Sequence, residues 1–193
     1  MVDIKNINNN IKAIQWKERY DSLPNDIQKK LDELADAQFK SYQLQVIKRS
    51  KEYPEIGDIF IVRPRENIEF HGIVVNNHID NNNGDDLLAV LIFKNDVDVK
   101  ESIKSIKKED LLIDPEIVGK EYWTRGYFYK IDNIDIDKKD LDIGFYDIVY
   151  DKFCDEYENR LQEEPYLLGT YGVATISGIA YGINKELIIN KMI

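Results

Sequence analysis

The sequence predicts an α+β protein in which an amino-terminal helical segment packs on a mainly antiparallel, strongly bent β-sheet, followed by one or two carboxyl-terminal helices. Two observations predict this class. Before Pro54, apolar residues recur at spacings of three and four, as they do on a helix face. After Pro54, the chain consists of short β-branched runs separated by turn residues. We therefore expect one domain over residues 1–193, with residues 1–54 helical and residues 55–193 β-rich.

The amino-terminal segment carries one long apolar stripe. Ser22, with Pro24 just inside the first turn, is a typical helix start. The residues that follow at helical spacing are Ile27, Leu31, Leu34, Ala35, Phe39, Tyr42 and Val46. Because this spacing places them on one face, it predicts a helix that continues to Val46 and packs on the body of the protein.

The middle of the chain predicts an antiparallel meander. Its three strands are expected at residues 58–63, 70–76 and 87–93. The Asn- and Asp-rich residues 80–85 form the hairpin loop between the second and third strands. A charged connector then leads to a strand end or turn at residues 112–115, and the aromatic residues 122–136 predict a further strand region.

The carboxyl-terminal third has weaker patterns. Residues 144–150 are expected to form a strand, and the spacing of Phe153, Tyr157 and Leu161 predicts a helix over residues 151–162. The β-branched, glycine-punctuated residues 167–183 favour one or two late strands. Asn184 is then expected to open a short terminal helix over residues 185–191.

The charge is concentrated in one part of the chain. The whole sequence has 26 Lys and Arg against 36 Asp and Glu, for a net charge of −10. Residues 132–164 alone contain 12 acidic residues and 4 basic ones, for −8. This balance argues against a nucleic-acid-binding protein, because phosphate contacts need clustered Lys and Arg. Two interpretations stay open: a solvated face that maintains solubility, and a surface that steers a basic partner.

The residues of catalytic and metal sites are scarce. Two His and one Cys cannot supply the four ligands of a structural zinc site. The sequence has no Gly-x-Ser-x-Gly elbow and no phosphate-binding loop. We therefore expect no enzyme, no cofactor and no metal. No apolar run approaches the roughly 18 residues of a membrane span. The lone Cys154 excludes an intrachain disulfide and favours a cytoplasmic location.

Three short motifs resemble the Immunity protein 26 family of bacterial polymorphic toxin systems. They are Gly57-Asp58-Ile59-Phe60, then His71-Gly72-Ile73-Val74, and finally Trp123-x-x-Gly126-Tyr127-Phe128 followed by Ile131. The resemblance covers about residues 55–135. It implies a cytoplasmic antidote that binds and blocks a protein toxin, and it brings no catalytic residues. The motif residues that we interpret as fold determinants are Gly57, Asp58, Phe60, Trp123 and Gly126.

The acidic stretch is the predicted partner-binding surface. Many toxins of such systems are basic nucleases, and an acidic surface would speed the encounter with one. The carboxylates expected to steer the toxin are Asp132, Asp135, Asp137, Asp140 and Asp142. The aromatic anchors expected beside them are Tyr127, Tyr129 and Tyr146.

Two other functions stay open. Gly57 to Phe60 followed by paired strands also resembles the start of the SH3-like barrels of MazF/PemK-type endoribonuclease toxins. The acidic balance, the lack of a basic groove and the length of the chain argue against that function. The other alternative is a non-catalytic phage-associated or scaffold protein, which no feature of the sequence separates from an immunity protein. Nothing in the sequence indicates a homodimer.

Overall fold

The computed structural model describes residues 10–137 and 141–193. Helices at both ends of the chain accompany a five-stranded antiparallel sheet and a smaller three-stranded sheet. The α+β class predicted from the sequence is confirmed. Among the described residues, no helix has the length and apolar character needed to cross a bilayer.

Two short helices begin the described chain. Helix α1 spans Ile11–Ser22, and the Asn10 side chain caps it by accepting hydrogen bonds from two backbone N–H groups. Helix α2 spans Asn25–Ala35 and buries the first part of the predicted stripe, Ile27, Leu31 and Leu34.

The prediction that this helix continues to Val46 is wrong. A 3-10 turn over Phe39–Ser41 follows α2, and the chain is then extended. Val46 is 56% exposed, whereas Leu44 is buried in the main core. The Gln45 backbone N–H group donates a hydrogen bond to the Arg63 carbonyl group, and the Ile47 backbone N–H group donates one to the Gly126 carbonyl group. In the extended conformation, these N–H groups are hydrogen-bonded and Leu44 is buried. These contacts favour an extended segment although the apolar residues recur at helical spacing.

The larger sheet contains five strands in the order β4-β3-β2-β1-β5. The strands are β1 Asp58–Arg65, β2 Ile68–Asn81, β3 Gly84–Phe93, β4 Leu111–Val118 and β5 Phe128–Asn133. Every pair is antiparallel, and register shifts in each pair bend and twist the sheet. The predicted Asn-rich hairpin connects β2 to β3.

Both faces of the larger sheet are covered. One core contains Phe60, Val62, Phe70, Val74, Trp123 and Phe128, and the other contains Ile59, Ile73, Val75, Leu91 and Ile117. The Phe60 ring passes so close to Gly72 that a Cβ there would lie 2.3 Å from it. This contact explains the glycine in the second motif, because any side chain would displace the ring.

Short helices connect the later strands. Helix α3, Val99–Ser102, lies between β3 and β4, and α4, Glu121–Thr124, lies between β4 and β5. The predicted strand over residues 122–136 therefore begins too early. Tyr122 and Trp123 are both buried next to Phe128, and a helical turn brings these neighbouring aromatic rings into the same core.

The smaller sheet replaces a predicted helix. Its strands are β6 Ile143–Asp147, β7 Lys152–Cys154 and β8 Leu167–Thr170, in the order β7-β6-β8. Strand β6 is antiparallel to β7 and parallel to β8. The prediction of a helix over residues 151–162 is wrong, because β7 pairs with β6 and thereby buries Cys154.

One long helix ends the chain. Helix α5 spans Ile176–Ile189, and Thr175 caps it by accepting a hydrogen bond from the Gly178 N–H group. The predicted late strand therefore ends at Thr170, and the terminal helix starts nine residues before residue 185. Its buried side chains join the core above the larger sheet. That burial outweighs the low helix propensity of the two glycines inside α5.

Candidate partner-binding surface

The acidic segment, residues 132–142, connects the two sheets. It begins on β5, which is an edge strand of the larger sheet, and ends next to β6. Ile134 and Ile136 are half-buried against the core that contains Ile59. Asp135 and Asp137 alternate with them and are exposed. The two isoleucines therefore hold residues 134–137 against the core, and Asp135 and Asp137 face solvent.

The two ends of the acidic segment contact neighbouring elements. The Asp132 carboxylate lies 2.5 Å from Lys100 Nζ, and this contact holds the pKa of Asp132 below its ordinary value. Asp142 is exposed and accepts a hydrogen bond from the Tyr166 backbone N–H group at 2.9 Å. Asp140, also predicted for this surface, lies outside the described residues.

The three predicted tyrosines have different environments. Tyr129 lies on β5 and is half-buried, with Lys48 Nζ 5.1 Å from the centre of its ring. Tyr127 is half-buried against the core. Tyr146 is only 4% exposed, so its side chain lies inside the protein. The structure therefore brings Tyr129 close to the acidic segment and leaves Tyr146 without access to a partner.

The glycines of the first and third motifs lie where the backbone takes a left-handed conformation. Gly57 has φ +84°, and a Cβ there would lie 1.8 Å from the Ile134 carbonyl oxygen. Gly126 has φ +87° and connects α4 to β5, with the backbone of residue 48 pressed against it. A side chain at either position would be strained and would also clash with backbone atoms.

Asp58 fastens the start of β1 to β5. Its buried carboxylate accepts hydrogen bonds from the Glu55 backbone N–H group at 3.0 Å and from Asn133 Nδ2 at 2.7 Å. Lys130 Nζ lies 2.6 Å from the same carboxylate, which raises the pKa of Lys130. The buried charge is therefore paired and hydrogen-bonded, as a buried carboxylate requires.

A family model agrees with these motifs and their geometry. The model of Immunity protein 26 matches residues 55–152, which is half of the chain. The chain belongs to the Immunity protein 26 family. The resemblance predicted from the sequence is thus confirmed. The comparisons with curated proteins and with solved structures found no match.

The family match includes the larger sheet, the acidic segment and β6. It starts three residues before β1 and ends on the first residue of β7. Helices α1, α2 and α5 lie outside it, as does β8. The predicted partner-binding surface therefore lies within the part of the chain that the family shares.

The structure adds one feature in the family range that the sequence analysis did not predict. A turn over residues 148–151 connects β6 to β7, and its first three residues are apolar and exposed. We refer to residues 148–151 as the β6–β7 turn. Ile148, Val149 and Tyr150 resemble strand or helix residues in the sequence, so their pattern gave no sign of a turn.

A cleft of about 650 Å³ lies between α1, β4 and α5. Two ion pairs cross it. Arg19 of α1 donates two hydrogen bonds of 2.7 Å to the Glu186 carboxylate of α5. Lys12 of α1 lies 2.7 Å from Asp114 of β4. These contacts fasten α1 to the body of the protein, so the charges in the cleft have a structural role.

Two further ionisable groups in the cleft have shifted pKa values. Lys185 Nζ lies 4.0 Å from the centre of the Trp16 ring, and burial lowers the pKa of Lys185. Burial raises the pKa of Glu116 to about 8, and the negative charge of Asp114 contributes. Glu116 is therefore largely protonated at neutral pH.

The described residues offer little for metal binding or nucleophilic catalysis. Among them, no group of three or more His, Cys, Asp and Glu side chains is arranged to hold a metal ion. Cys154 is fully buried, and burial raises the pKa of its thiol to about 11. A thiol with this pKa remains protonated at neutral pH, whereas the thiolate is the nucleophile.

Proposed function

We propose that this protein is a cytoplasmic immunity protein that binds a cognate bacterial toxin and neutralises it without catalysing a reaction. The single observation that carries the proposal is the match to the Immunity protein 26 family over residues 55–152.

The toxin that this surface suits is a basic, nuclease-type protein. The described carboxylates of the acidic segment are exposed, and the whole chain carries a net charge of −10. Opposite charge on the partner would raise the association rate constant and disfavour acidic competitors. Tyr129, at the edge of the sheet, is the aromatic residue next to these carboxylates that we propose as a contact.

A ribonuclease of the MazF/PemK type fits the arginine environment less well. Arg63 forms an ion pair with Glu69. Arg65 donates hydrogen bonds to the Ser41 carbonyl group and to the Asn184 side chain. Both guanidinium groups are therefore bound within the protein, whereas an RNA-binding groove needs cations that reach phosphate groups.

The experiment that tests this function uses the genomic neighbour. We expect the adjacent upstream gene to encode a large protein with a carboxyl-terminal toxin domain. Expression of that domain should stop bacterial growth, and co-expression of this chain should restore it. The two purified proteins should form a stable complex in size-exclusion chromatography.

The controls separate the three functions. An Asp58→Ala variant that misfolds should lose protection, which shows that rescue requires the folded chain. Cleavage of RNA by the purified protein, lost in Arg63→Ala and Arg65→Ala variants, would favour the ribonuclease function. Absence of a neighbouring toxin gene, together with no RNA cleavage, would favour the scaffold function.

A further inference from the structure

We propose that the β6–β7 turn is an apolar anchor that inserts into an apolar pocket on a basic protein partner. The inference rests on the proposed immunity function and names a contact of the same protein with its toxin. It assigns the tightest part of the interface to Ile148, Val149 and Tyr150, outside the acidic segment.

The exposure of these three side chains is the first observation. Ile148 is 41% exposed, Val149 is 64% exposed and Tyr150 is 68% exposed. In the described part of the chain, no other run of three consecutive large apolar residues is exposed. Such a run is unfavourable on the surface of a soluble protein unless another molecule covers it.

The residue types are the second observation. Turns usually contain Gly, Asn, Asp or Pro, because these residues adopt turn conformations readily or bind their own backbone. Here two β-branched residues and a tyrosine occupy the first three positions, and only the fourth, Asp151 with φ +48°, is a typical turn residue. Where local residue preference conflicts with the fold, a functional requirement is the usual reason.

The third observation is that the turn is held in one conformation from beneath. Asp147 is 3% exposed, and its Oδ1 atom accepts hydrogen bonds from the Val149 N–H group at 2.9 Å and the Tyr150 N–H group at 3.2 Å. The buried Tyr146 hydroxyl donates to Asp151 Oδ1 at 2.5 Å. A turn that is already ordered loses little conformational entropy when it binds, so ordering offsets little of the free energy gained by burying its apolar side chains.

The charge around the turn indicates the kind of partner. Residues 147–160 contain five acidic residues and two basic ones, and of the acidic ones Asp151, Asp155 and Glu158 are not buried. The whole chain carries a net charge of −10. One of the basic residues, Lys152, has its Nζ atom 5.3 Å from the centre of the Tyr150 ring. An apolar tip in acidic surroundings suits a protein pocket with a basic rim. It does not suit an anionic membrane surface, which would repel these carboxylates.

The test is a matched pair of substitutions that place the same charge on two exposed valines. Val149→Asp changes the turn, whereas Val46→Asp changes the extended segment near β1, where Val46 is 56% exposed. The probe is the purified toxin domain encoded by the adjacent upstream gene, and binding is measured by surface plasmon resonance. We expect Val149→Asp to raise Kd by about 30-fold or more, mainly through faster dissociation. We expect Val46→Asp to change Kd by less than about threefold, as usual for positions outside a hot spot.

Several outcomes would overturn the inference. If Val149→Asp and a second variant, Tyr150→Ser, both bind like wild type, the turn is no anchor, while the immunity function stands. Equal losses of toxin affinity in Val149→Asp and Val46→Asp would likewise show that the turn is no anchor.

The membrane alternative has its own outcome. If the wild-type protein binds phosphatidylserine vesicles and Val149→Asp abolishes this binding, the turn contacts a membrane and not a protein. If the wild-type protein fails to bind the toxin domain, both proposals fall. Thermal unfolding of each variant verifies that it is folded.

Discussion

The acidic segment and the β6–β7 turn are both exposed, but the protein holds them in opposite ways. The acidic segment packs Ile134 and Ile136, half-buried, against a core and exposes those of its carboxylates that the structure describes. The turn exposes its apolar side chains above a buried carboxylate, that of Asp147 at the end of β6. Exposed carboxylates are well solvated, whereas exposed apolar surface forgoes about 25 cal/mol per Å² of burial. The acidic segment is thus an ordinary surface, and the turn has an unfavourable surface that a partner would relieve.

This contrast assigns the two regions to different steps of partner binding. Charges act over roughly 8 Å at physiological salt, so the acidic segment would act before contact and change the association rate. Apolar contacts act only at contact, so the turn would change the dissociation rate. Substitutions that separate these two rate constants therefore test the contrast directly.

Among variants that keep the three apolar side chains of the turn, the largest effect is expected from removing the support beneath it. An Asp147→Ala variant leaves the Val149 and Tyr150 N–H groups without their acceptor. We expect the free energy of unfolding to fall by about 1–3 kcal/mol, as for other lost buried hydrogen-bond partners. We also expect toxin dissociation to become at least tenfold faster, because the loosened turn must be ordered on binding. Urea denaturation and surface plasmon resonance measure the two effects.

The matched control for this variant is Asp147→Asn. Its amide oxygen can still accept from the turn, so both effects should be smaller than in the alanine variant. A fully stable Asp147→Ala protein with an unchanged dissociation rate would show that the turn needs no support from this carboxylate.

A second, intermediate effect is expected from neutralising the acidic segment. In the variant Asp135→Asn, Asp137→Asn and Asp142→Asn, the association rate constant at low salt should fall by about tenfold. Its dependence on salt should become flatter, and the dissociation rate should stay the same. Stopped-flow measurements at several salt concentrations give these values.

Three carboxylates on α2 or directly after it provide the control for total charge. Asp26→Asn, Glu33→Gln and Asp36→Asn remove the same number of charges from exposed positions that are far from the acidic segment in the sequence. If both triple variants slow association equally, the net charge steers the partner and the acidic segment has no special place. A faster dissociation in the first variant would contradict the division between the two regions.

The sequence predicted correctly those parts of the fold that depend mainly on residues close together in the chain. Strands β1 to β3 follow β-branched runs, and their hairpin has an Asn-rich loop, so local chemistry was sufficient. The first half of helix α5 was missed because Gly178 and Gly182 suggested turns, whereas burial of the helix in the core compensates for them. The helix forms there because of packing against residues far away in the chain, which cannot be inferred from a single sequence.

The candidate surface divides in the same way. Within residues 132–164, acidic residues outnumber basic ones, and this property of composition can be read directly from the sequence. Tyr146 looked like an exposed anchor beside these acids, but pairing of β6 with two strands buries it. Ile148 to Tyr150 looked like core residues and are exposed. Which apolar residues face solvent depends on strand pairing, and this pairing involves residues far apart in the sequence.

The smallest effect is expected at Tyr146, which links the core to the turn through one hydroxyl group. Tyr146→Phe removes only the hydrogen bond to Asp151, so we expect a loss of about 1 kcal/mol in unfolding free energy and less than a threefold change in Kd. Burial, together with the Asp151 hydrogen bond, raises the pKa of Tyr146 to about 12, from 10 in the unfolded chain.

This pKa shift gives the Tyr146→Phe variant a pH signature. Between pH 10 and 12 the unfolded chain loses the Tyr146 proton while the folded protein keeps it, so wild-type stability falls as pH rises through this range. The phenylalanine variant lacks this contribution, and its stability should fall less steeply over the same range. Urea denaturation at pH 9 and pH 11 measures the difference. Parallel curves for the two proteins would mean that the Tyr146 hydroxyl is solvated, and the turn would then lack its second support.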